Sequence, residues 1–274
     1  MTIIASDLMK GKRGLIMGVA NEKSIAWGMA QALAANGAEL AFTYQGDAFG
    51  KRVKPLAESV GSTFLLDCDV SKEEDLDRVF AEIEKEWGQI DFLVHAIAYS
   101  DKEELKGRYV DTSLKNFLNS MHISCYSFTS VMRRVQPLMK DGGSAVTLTY
   151  YGAEKAMPNY NVMGVAKAAL EASVRYLAAD LGVDGVRVNA ISAGPMRTLA
   201  GAVIGNARTT FKYNVVTSPL KRSVELEELG GTALYLLSDL SSAVTGEVHY
   251  VDCGFNAVGM PHPDVLKTFG QNGD

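Results

Sequence analysis

The sequence has few of the residues that build disulfide frameworks and metal centres. Its 274 residues include 3 cysteines and 4 histidines, and no two cysteines form a CxxC pair. Cys68, Cys125 and Cys253 are odd in number and far apart, which argues against a disulfide framework and a structural zinc site and fits a reducing compartment. We therefore expect a cytoplasmic protein without a bound metal.

Long apolar runs and an excess of one charge are also missing. No apolar stretch approaches the roughly 20 residues that a membrane-spanning helix needs, and the N-terminal stretch carries no cleavable signal pattern. The net charge is -5 and no basic stripe is present, so neither nucleic acid nor a membrane is an expected partner. The hydrophobic content of 47% is enough for a large buried core.

Short apolar strands alternate with helical stretches along almost the whole chain. Strands are predicted at 14–18, 39–44, 63–68, 91–95, 144–149, 186–191 and 247–252. Helices are predicted at 24–37, 47–60, 71–87, 114–139, 225–238 and in a stretch that carries Lys167 and ends at Gly182. Ser71 and Glu74 have the spacing of a capping box and predict where the third helix begins.

This alternation predicts an α/β fold with a single doubly wound Rossmann-type parallel sheet and helices on both faces. No linker, repeat or low-complexity tract interrupts it. We expect one domain over residues 1–260, followed by a C-terminal tail at 261–274.

The turn after the first strand is where a dinucleotide pyrophosphate would bind, because unpaired helix N–H groups and the helix dipole favour an anion there. The usual G-x-G-x-x-G is absent. Gly18 ends the strand instead, and Ser24 occupies the N-cap position before Ile25. The turn alone is a weak indication, since an ordinary strand-to-helix connection explains it equally well.

The second and third strands end in polar residues suited to an adenosine. Gln45 stands where a ribose-binding carboxylate is usual. The pair Lys51–Arg52 follows, and it either contacts a 2′-phosphate or forms a solvated helix face. Asp69 and Val70 are a pair that can contact the adenine edge. Asp67 and Asp69 are interpreted as turn and cofactor residues, not as an acid pair for hydrolysis.

Tyr160 stands seven positions before Lys167. In the short-chain dehydrogenase/reductase family, which this region resembles, the tyrosine is four positions before the lysine, where this chain has Met163. Seven helical positions turn through roughly 700°, about 20° short of two turns, so the two side chains would share a face if the helix extended back to Tyr160. A Tyr-Lys pair by itself is usually a surface feature.

Six segments carry a closer resemblance, namely 18–26, 41–45, 68–70, 150–154, 158–164 and 187–195. With the Tyr-x6-Lys spacing, they make the chain similar over about residues 5–257 to the bacterial NADH-dependent enoyl-acyl-carrier-protein reductases. These enzymes are a divergent branch of the short-chain dehydrogenase/reductases that works in fatty acid biosynthesis, a part of lipid metabolism. The resemblance implies NADH/NAD as cofactor, an enoyl thioester on acyl-carrier protein as substrate, and a homotetramer. Gln45 implies NADH over NADPH.

The resemblance also implies residue roles. Tyr160 matches the catalytic tyrosine, Lys167 the lysine that binds the nicotinamide ribose, and Tyr150 a second active-site tyrosine. The implied substrate contacts are Ser100, Tyr150, Tyr160 and Met163. The implied cofactor contacts are Gly18, Ser24, Ile25, Gln45, Asp69, Val70, Ile97, Lys167, Met196, Thr198, Leu199 and Ala200, with Thr198 at either the carboxamide or the pyrophosphate. Ala98 and Cys253 replace glycines that are common in the family.

The wider spacing has a chemical interpretation. In a carbonyl reductase, hydride adds to the carbonyl carbon and the tyrosine protonates the oxygen bonded to that same carbon. An enoyl thioester accepts hydride at C3 while charge develops on the thioester oxygen, so a donor farther from the nicotinamide anchor suits it. Two alternatives are a ketone or alcohol oxidoreductase, which Met163 and Tyr150 disfavour, and a catalytically silent NAD-binding regulator, which would not need both Tyr160 and Lys167.

The segment 196–219 shows the least regular pattern in the chain. It follows the carboxyl end of a strand, where substrates bind in this fold. We expect it to be a mobile lid over the cofactor and the acyl chain.

Overall fold

The computed structural model describes residue 3 and residues 5–196, 198–199 and 207–265, without the side chains of 207 and 208. Within these ranges the strands form one parallel sheet in the order β3-β2-β1-β4-β5-β6-β7. The strands are β1 Arg13–Met17, β2 Glu39–Tyr44, β3 Phe64–Asp67, β4 Phe92–His95, β5 Gly143–Thr149, β6 Val186–Ala193 and β7 Val248–Val251. The predicted doubly wound parallel sheet is confirmed.

Helices cover both faces of this sheet. They are α1 Ile25–Ala35, α2 Gly46–Ser59, α3 Glu73–Trp87, α4 Leu114–Met121, α5 Ser127–Val135, α6 Asn161–Leu181, α7 Ala207–Thr217 and α8 Leu226–Leu237. Across the ranges given above, no helix has both the length and the apolar content to cross a bilayer.

The alternation of side chains along β1 builds two cores. Leu15 and Met17 pack with residues of α3, α5 and α6, whereas Ile16 packs on the other face with residues of α1, α2 and α8. Successive residues of a strand point to opposite faces, so an uninterrupted apolar strand is what a sheet covered on both sides requires.

The helix predicted at 114–139 is interrupted. A π-helical turn, His122–Tyr126, separates α4 from α5, and a 3-10 turn, Gln136–Leu138, ends the run. The Ser124 hydroxyl in the π turn accepts a hydrogen bond from the Tyr99 N–H and donates one to the Tyr99 carbonyl, each at 2.9 Å. The widened turn therefore anchors the loop after β4, which hydrophobic periodicity alone does not reveal.

The capping box predicted at Ser71 is wrong. Helix α3 begins at Glu73 after Lys72, and the Ser71 hydroxyl donates to Asp69 at 2.7 Å instead of capping the helix. Lys72 is the N-cap, so Ser71 lies one residue too early for its hydroxyl oxygen to accept from the N–H groups that a capping residue serves. A reciprocal capping box forms instead between Glu225 and Glu228 at the start of α8.

Helices α1 and α8 pack closely against each other at two glycines, Gly28 and Gly230. A Cβ atom on Gly230 would lie 2.7 Å from the Gly28 carbonyl oxygen and 2.8 Å from the Ala32 methyl group. A Cβ atom on Gly28 would lie 2.8 Å from the Leu226 carbonyl oxygen. Neither contact can relax by rotating a flexible side chain, so the crossing requires glycine on both helices.

Gly230→Ala should therefore destabilise the protein by about 1–3 kcal/mol, the usual cost of overpacking. Gly231→Ala is the matched control, because nothing lies within 4 Å of a Cβ atom there. Its expected effect is a gain of roughly 0.5–1 kcal/mol from the better helix propensity of alanine. Denaturant unfolding of both variants measures the difference, and equal stabilities would show that the helices do not depend on this contact.

Candidate active site

The site lies where the strand order reverses. β1 pairs with β2 on one side and β4 on the other, so the loops after β1 and β4 leave the sheet in opposite directions and open a crevice between them. The tyrosines and the lysine predicted from the sequence follow β5 on the same edge. The carboxyl ends of the parallel strands thus bring the two parts of the site together.

Two tyrosines meet at this edge. Tyr150 directly follows β5, Tyr160 directly precedes α6, and their rings meet edge to face with centroids 5.1 Å apart. A Cβ atom on Gly152 would lie 2.5 Å from the Tyr160 ring, so the turn between them must be glycine for the ring to fit. Within the described ranges neither hydroxyl makes a hydrogen bond to the protein, which leaves both able to donate to a ligand.

Burial keeps these phenols neutral. It raises the pKa of Tyr150 to about 12, with the Asp252 carboxylate adding to the effect. It raises the pKa of Tyr160 further, because that side chain is only 7% exposed. Both groups are therefore hydrogen-bond donors at neutral pH and not phenolates.

Tyr151 faces away from this pair. Its ring contacts Phe255 and Tyr250 at centroid distances of 5.9 and 6.3 Å, and its hydroxyl donates to the Asn256 carbonyl at 3.3 Å. The adjacent side chains of Tyr150 and Tyr151 thus pack against different neighbours, and only Tyr150 contacts Tyr160.

Lys167 is a buried cation tied to the sheet. Its Nζ donates to the Leu148 carbonyl oxygen at 2.7 Å, and burial lowers its pKa to about 8. An ammonium has three N–H donors, so protons remain for a ligand hydroxyl. One turn further along α6, the Glu171 carboxylate accepts from the Thr149 hydroxyl at 2.6 Å. Burial raises the pKa of Glu171.

The condition under which Tyr160 and Lys167 would share a helix face, a helix that extends back to Tyr160, is missed by one residue. Helix α6 begins at Asn161, and Tyr160 is its N-cap with φ -114° and ψ -17°. Helical rotation therefore does not by itself place Tyr160 relative to Lys167. The contact with Tyr150 and the close approach of Gly152 hold the ring in place instead.

Met163 contributes an apolar wall beside the tyrosines. It is 7% exposed and belongs to a cluster with Leu105, Tyr160, Val162 and Ala166, against which Tyr150, Phe117 and Met157 pack. Leu105 and Met157 carry no sequence motif, so only the folded structure shows that they line the site.

Ser100 is held in a polar cluster. Its hydroxyl accepts from the Ser120 hydroxyl at 2.9 Å and from the Asn116 amide at 3.2 Å. The Asn116 carbonyl also accepts from the Asp101 N–H at 2.9 Å. The side chain of Ser100 thus stabilises the loop after β4, and a substrate contact by this residue stays a prediction.

The turn after β1 leaves room for an anionic ligand. Gly18 has φ +104°, and a Cβ atom there would lie 2.2 Å from the Ala96 carbonyl oxygen. The Ser24 hydroxyl accepts from the N–H groups of Ala20 and Asn21 at 2.9 and 3.1 Å, so it shapes the turn and does not cap α1. At the start of α1 the N–H groups of Trp27 and Gly28 donate to the Ser24 carbonyl, at 3.0 and 3.3 Å, whereas those of Ile25 and Ala26 precede the helical ladder.

The residues predicted at the adenosine end lie together. Gln45 is the N-cap of α2, and its side chain hydrogen-bonds to Asp69. Burial opposes ionisation of Asp69, but hydrogen bonds from Ser71 and Gln45 hold its pKa below the usual value. Val70 is buried, and Ile97 packs beside the core between the sheet and α6.

The segment after β6 is only partly described. Met196 packs against the core on the α1 side, Thr198 donates its N–H to the Met196 carbonyl at 2.9 Å, and Leu199 is exposed. Ala200 and most of the first half of the predicted lid lie outside the described residues. The expectation of an irregular segment is wrong for 207–217, which form α7.

Comparison with known proteins identifies the family. The family model for enoyl-(acyl carrier protein) reductase matches residues 18–256. The chain is 64% identical over 268 residues to enoyl-[acyl-carrier-protein] reductase [NADH] 1 of Rhizobium meliloti, covering 96% of this chain and 98% of that protein.

Two solved structures are similar throughout. The reductase of Anaplasma phagocytophilum in complex with NAD is 58% identical with a TM-score of 0.92, covering 95% of this chain and 100% of that one. The Bacillus cereus reductase with NADP+ and indole naphthyridinone is 46% identical with a TM-score of 0.91, covering 92% and 99%. This chain belongs to the enoyl-acyl-carrier-protein reductase family.

The cofactor of this family fits the residues present. The crevice at Gly18 is one that a side chain would fill, and the N–H groups of Ile25 and Ala26 at the start of α1 would be donors for a pyrophosphate. Gln45 and Asp69 would hold the adenosine end, and Lys167 would hold the second ribose. The polar groups at this edge of the sheet therefore suit a dinucleotide.

Glu171 should make stability depend on pH. Its pKa in the folded protein is raised above the ordinary 4.5, so the stability that it contributes is present below that value and is lost as pH rises through the raised pKa. Glu171→Gln cannot ionise, so we expect this variant to gain stability relative to the wild type between pH 5 and 8. Denaturant unfolding at both pH values measures the difference, and a constant difference would contradict the assignment.

Proposed function

We propose that this chain reduces trans-2-enoyl thioesters of acyl-carrier protein with NADH, as an oxidoreductase of type II fatty acid synthesis acting on CH–CH bonds. The observation that carries the proposal is the pair of buried, protonated tyrosines beside a buried lysine at the carboxyl edge of the sheet. The names of the relatives support it, since the Rhizobium meliloti protein is an NADH-dependent reductase and the Anaplasma phagocytophilum structure holds NAD.

Tyr160 stabilises the charge that develops during the reaction. The bound dihydronicotinamide supplies the hydride, which adds to C3 of the substrate. The Tyr160 hydroxyl donates to the thioester oxygen, where negative charge accumulates. Its raised pKa keeps the donor neutral, and the buried setting makes such a hydrogen bond stronger than it would be in water. C2 then takes a proton, from Tyr160 or from water.

Lys167 orients the nicotinamide ribose and lowers the electrostatic cost of the oxyanion. Its Nζ is fixed by the Leu148 carbonyl, so the remaining N–H groups have a defined direction. The positive charge is present below about pH 8, the value to which burial lowers its pKa.

Tyr150 and the apolar cluster shape the acyl site. The edge of the Tyr150 ring holds Tyr160, and Met163, Leu105 and Met157 give the walls the apolar character that a hydrocarbon chain needs. We also propose that the segment 196–219 closes over this site.

We further propose that the protein is one domain over residues 1–260 and acts as a cytoplasmic homotetramer. Large apolar side chains on and near α4 support self-association, among them Val110, Leu114 and Leu118, which are 71%, 73% and 57% exposed. Exposed apolar patches of this kind mark protein interfaces.

Tyr160→Phe should slow the reduction of a crotonyl thioester about 10²–10³-fold, because one oxyanion donor is lost, while NADH binding is retained. Tyr151→Phe is the matched control, since it removes a neighbouring tyrosine hydroxyl that faces away from the site. NADH absorbance is followed with an enoyl thioester, with a ketone and with neither. Unchanged enoyl turnover in Tyr160→Phe would falsify the assignment, and turnover of the ketone alone would favour the other oxidoreductase class.

Enoyl turnover should fall as pH rises through about 8, because Lys167 loses its charge there. Lys167→Arg retains the charge at higher pH, so the loss should move upward. If the larger side chain abolishes turnover, NADH affinity against pH provides the second measurement. The affinity for NADH should decrease above pH 8 in the wild type and should not depend on pH in Lys167→Met. The same decrease in both proteins would show that Lys167 is not its cause.

A further inference from the structure

A carboxylate caps the start of α2 at the adenosine end of the crevice. Asp67 is the last residue of β3 and pairs in register with Tyr44, the last residue of β2. Its Oδ1 accepts a hydrogen bond from the Gly46 N–H at 2.7 Å. Gly46 opens α2, so its N–H is one that no helical carbonyl can satisfy. Register across two strands thus places a negative charge on a helix N-terminus.

This position is the one that distinguishes the two forms of the cofactor. In the doubly wound fold, the end of β2 contacts the ribose 2′-hydroxyl of NAD or accommodates the 2′-phosphate of NADP. Gln45 stands at that end, and its side chain hydrogen-bonds to Asp69. A neutral amide repels neither form, so Gln45 alone gives a weak basis for discrimination.

A 2′-phosphate is favoured by free N–H groups at a helix N-terminus and by nearby cations. Here the Gly46 N–H is already taken by a carboxylate, which would also repel a phosphate dianion. Of the two interpretations of the basic pair Lys51–Arg52, a 2′-phosphate contact or a solvated helix face, the structure favours the second. Lys51 and Arg52 are exposed, and the Arg52 guanidinium lies over the Phe49 ring at 6.0 Å.

The charge on Asp67 also lacks an ionic partner among the described residues. The Arg78 guanidinium contacts Asp67, but it donates to the backbone carbonyl oxygen at 2.8 Å and not to the carboxylate. Its ion pair is with Asp75, at 3.1 Å. The Asp67 carboxylate therefore forms no salt bridge with a described residue, and it lies exposed at the end of β3 beside the start of α2.

We propose that Asp67 sets the preference of this protein for NADH over NADPH by excluding the 2′-phosphate. The inference rests on the proposed function, since it concerns the cofactor of that reaction. Family membership does not decide the preference, because the similar Bacillus cereus structure holds NADP+ and the Anaplasma phagocytophilum structure holds NAD.

The test is Asp67→Asn, which keeps an oxygen acceptor for the Gly46 N–H and removes the charge. The ratio of the dissociation constants of NADPH and NADH should fall about tenfold, the scale expected for removing one charge at partly screened contact distance. Glu58→Gln is the matched control, because it removes one charge at the exposed opposite end of the same helix. Calorimetric titration gives both constants directly, and turnover with each cofactor is measured beside them.

Salt provides a second readout. Raising the ionic strength should lower the ratio of the NADPH and NADH dissociation constants in the wild type, because salt screens an exposed charge. The same ratio should change little in Asp67→Asn. A ratio unchanged by Asp67→Asn, or changed equally by Glu58→Gln, overturns the inference. Loss of NADH binding in both Asp67→Asn and Asp67→Ser also overturns it, since Asp67 would then be structural. A wild type that binds neither cofactor contradicts the proposed function itself.

Discussion

The hydrogen bond from Lys167 Nζ to the Leu148 carbonyl oxygen, 2.7 Å long, joins α6 to the carboxyl end of β5. Met163 and Lys167 lie on α6, Tyr160 is the N-cap of that helix, and Tyr150 directly follows β5. Thr149 and Glu171 form a second bond between the same two elements at 2.6 Å, and Tyr150 continues from the strand toward Tyr160. The cost of burying the lysine is visible in its lowered pKa.

This anchoring explains how a tyrosine can act far from the usual position. The spacing usual among the short-chain dehydrogenase/reductases places a tyrosine one helical turn from the lysine, where Met163 is packed among apolar side chains here. Tyr160 lies outside the helix and is held by ring contact with Tyr150, so its hydroxyl is set by tertiary packing and not by helical periodicity. A donor positioned in this way matches an oxygen that is separated from the carbon receiving the hydride.

Sequence patterns predicted the sheet well, because the strands are short and mostly apolar and helical stretches separate them. The predictions from these patterns failed where a polar side chain has more than one hydrogen-bond partner within reach. Ser71 bonds to Asp69 instead of capping α3, and Ser124 sits in a π turn that periodicity does not reveal. The roles of Tyr160 and Lys167 came from resemblance. The bonds of Glu171 and Asp67 join residues about 20 apart in the chain; the first depends on how α6 packs on β5, and the second on the register of β2 and β3.

The most direct measurement is the position of deuterium in the product formed from deuterated NADH and an unlabelled trans-2-enoyl thioester. Hydride transfer to C3 with charge stabilised by Tyr160 predicts a saturated thioester with the label at C3 and none at C2. A label at C2, or a product reduced at the thioester carbonyl, would contradict the separation between the tyrosine donor and the carbon that accepts the hydride.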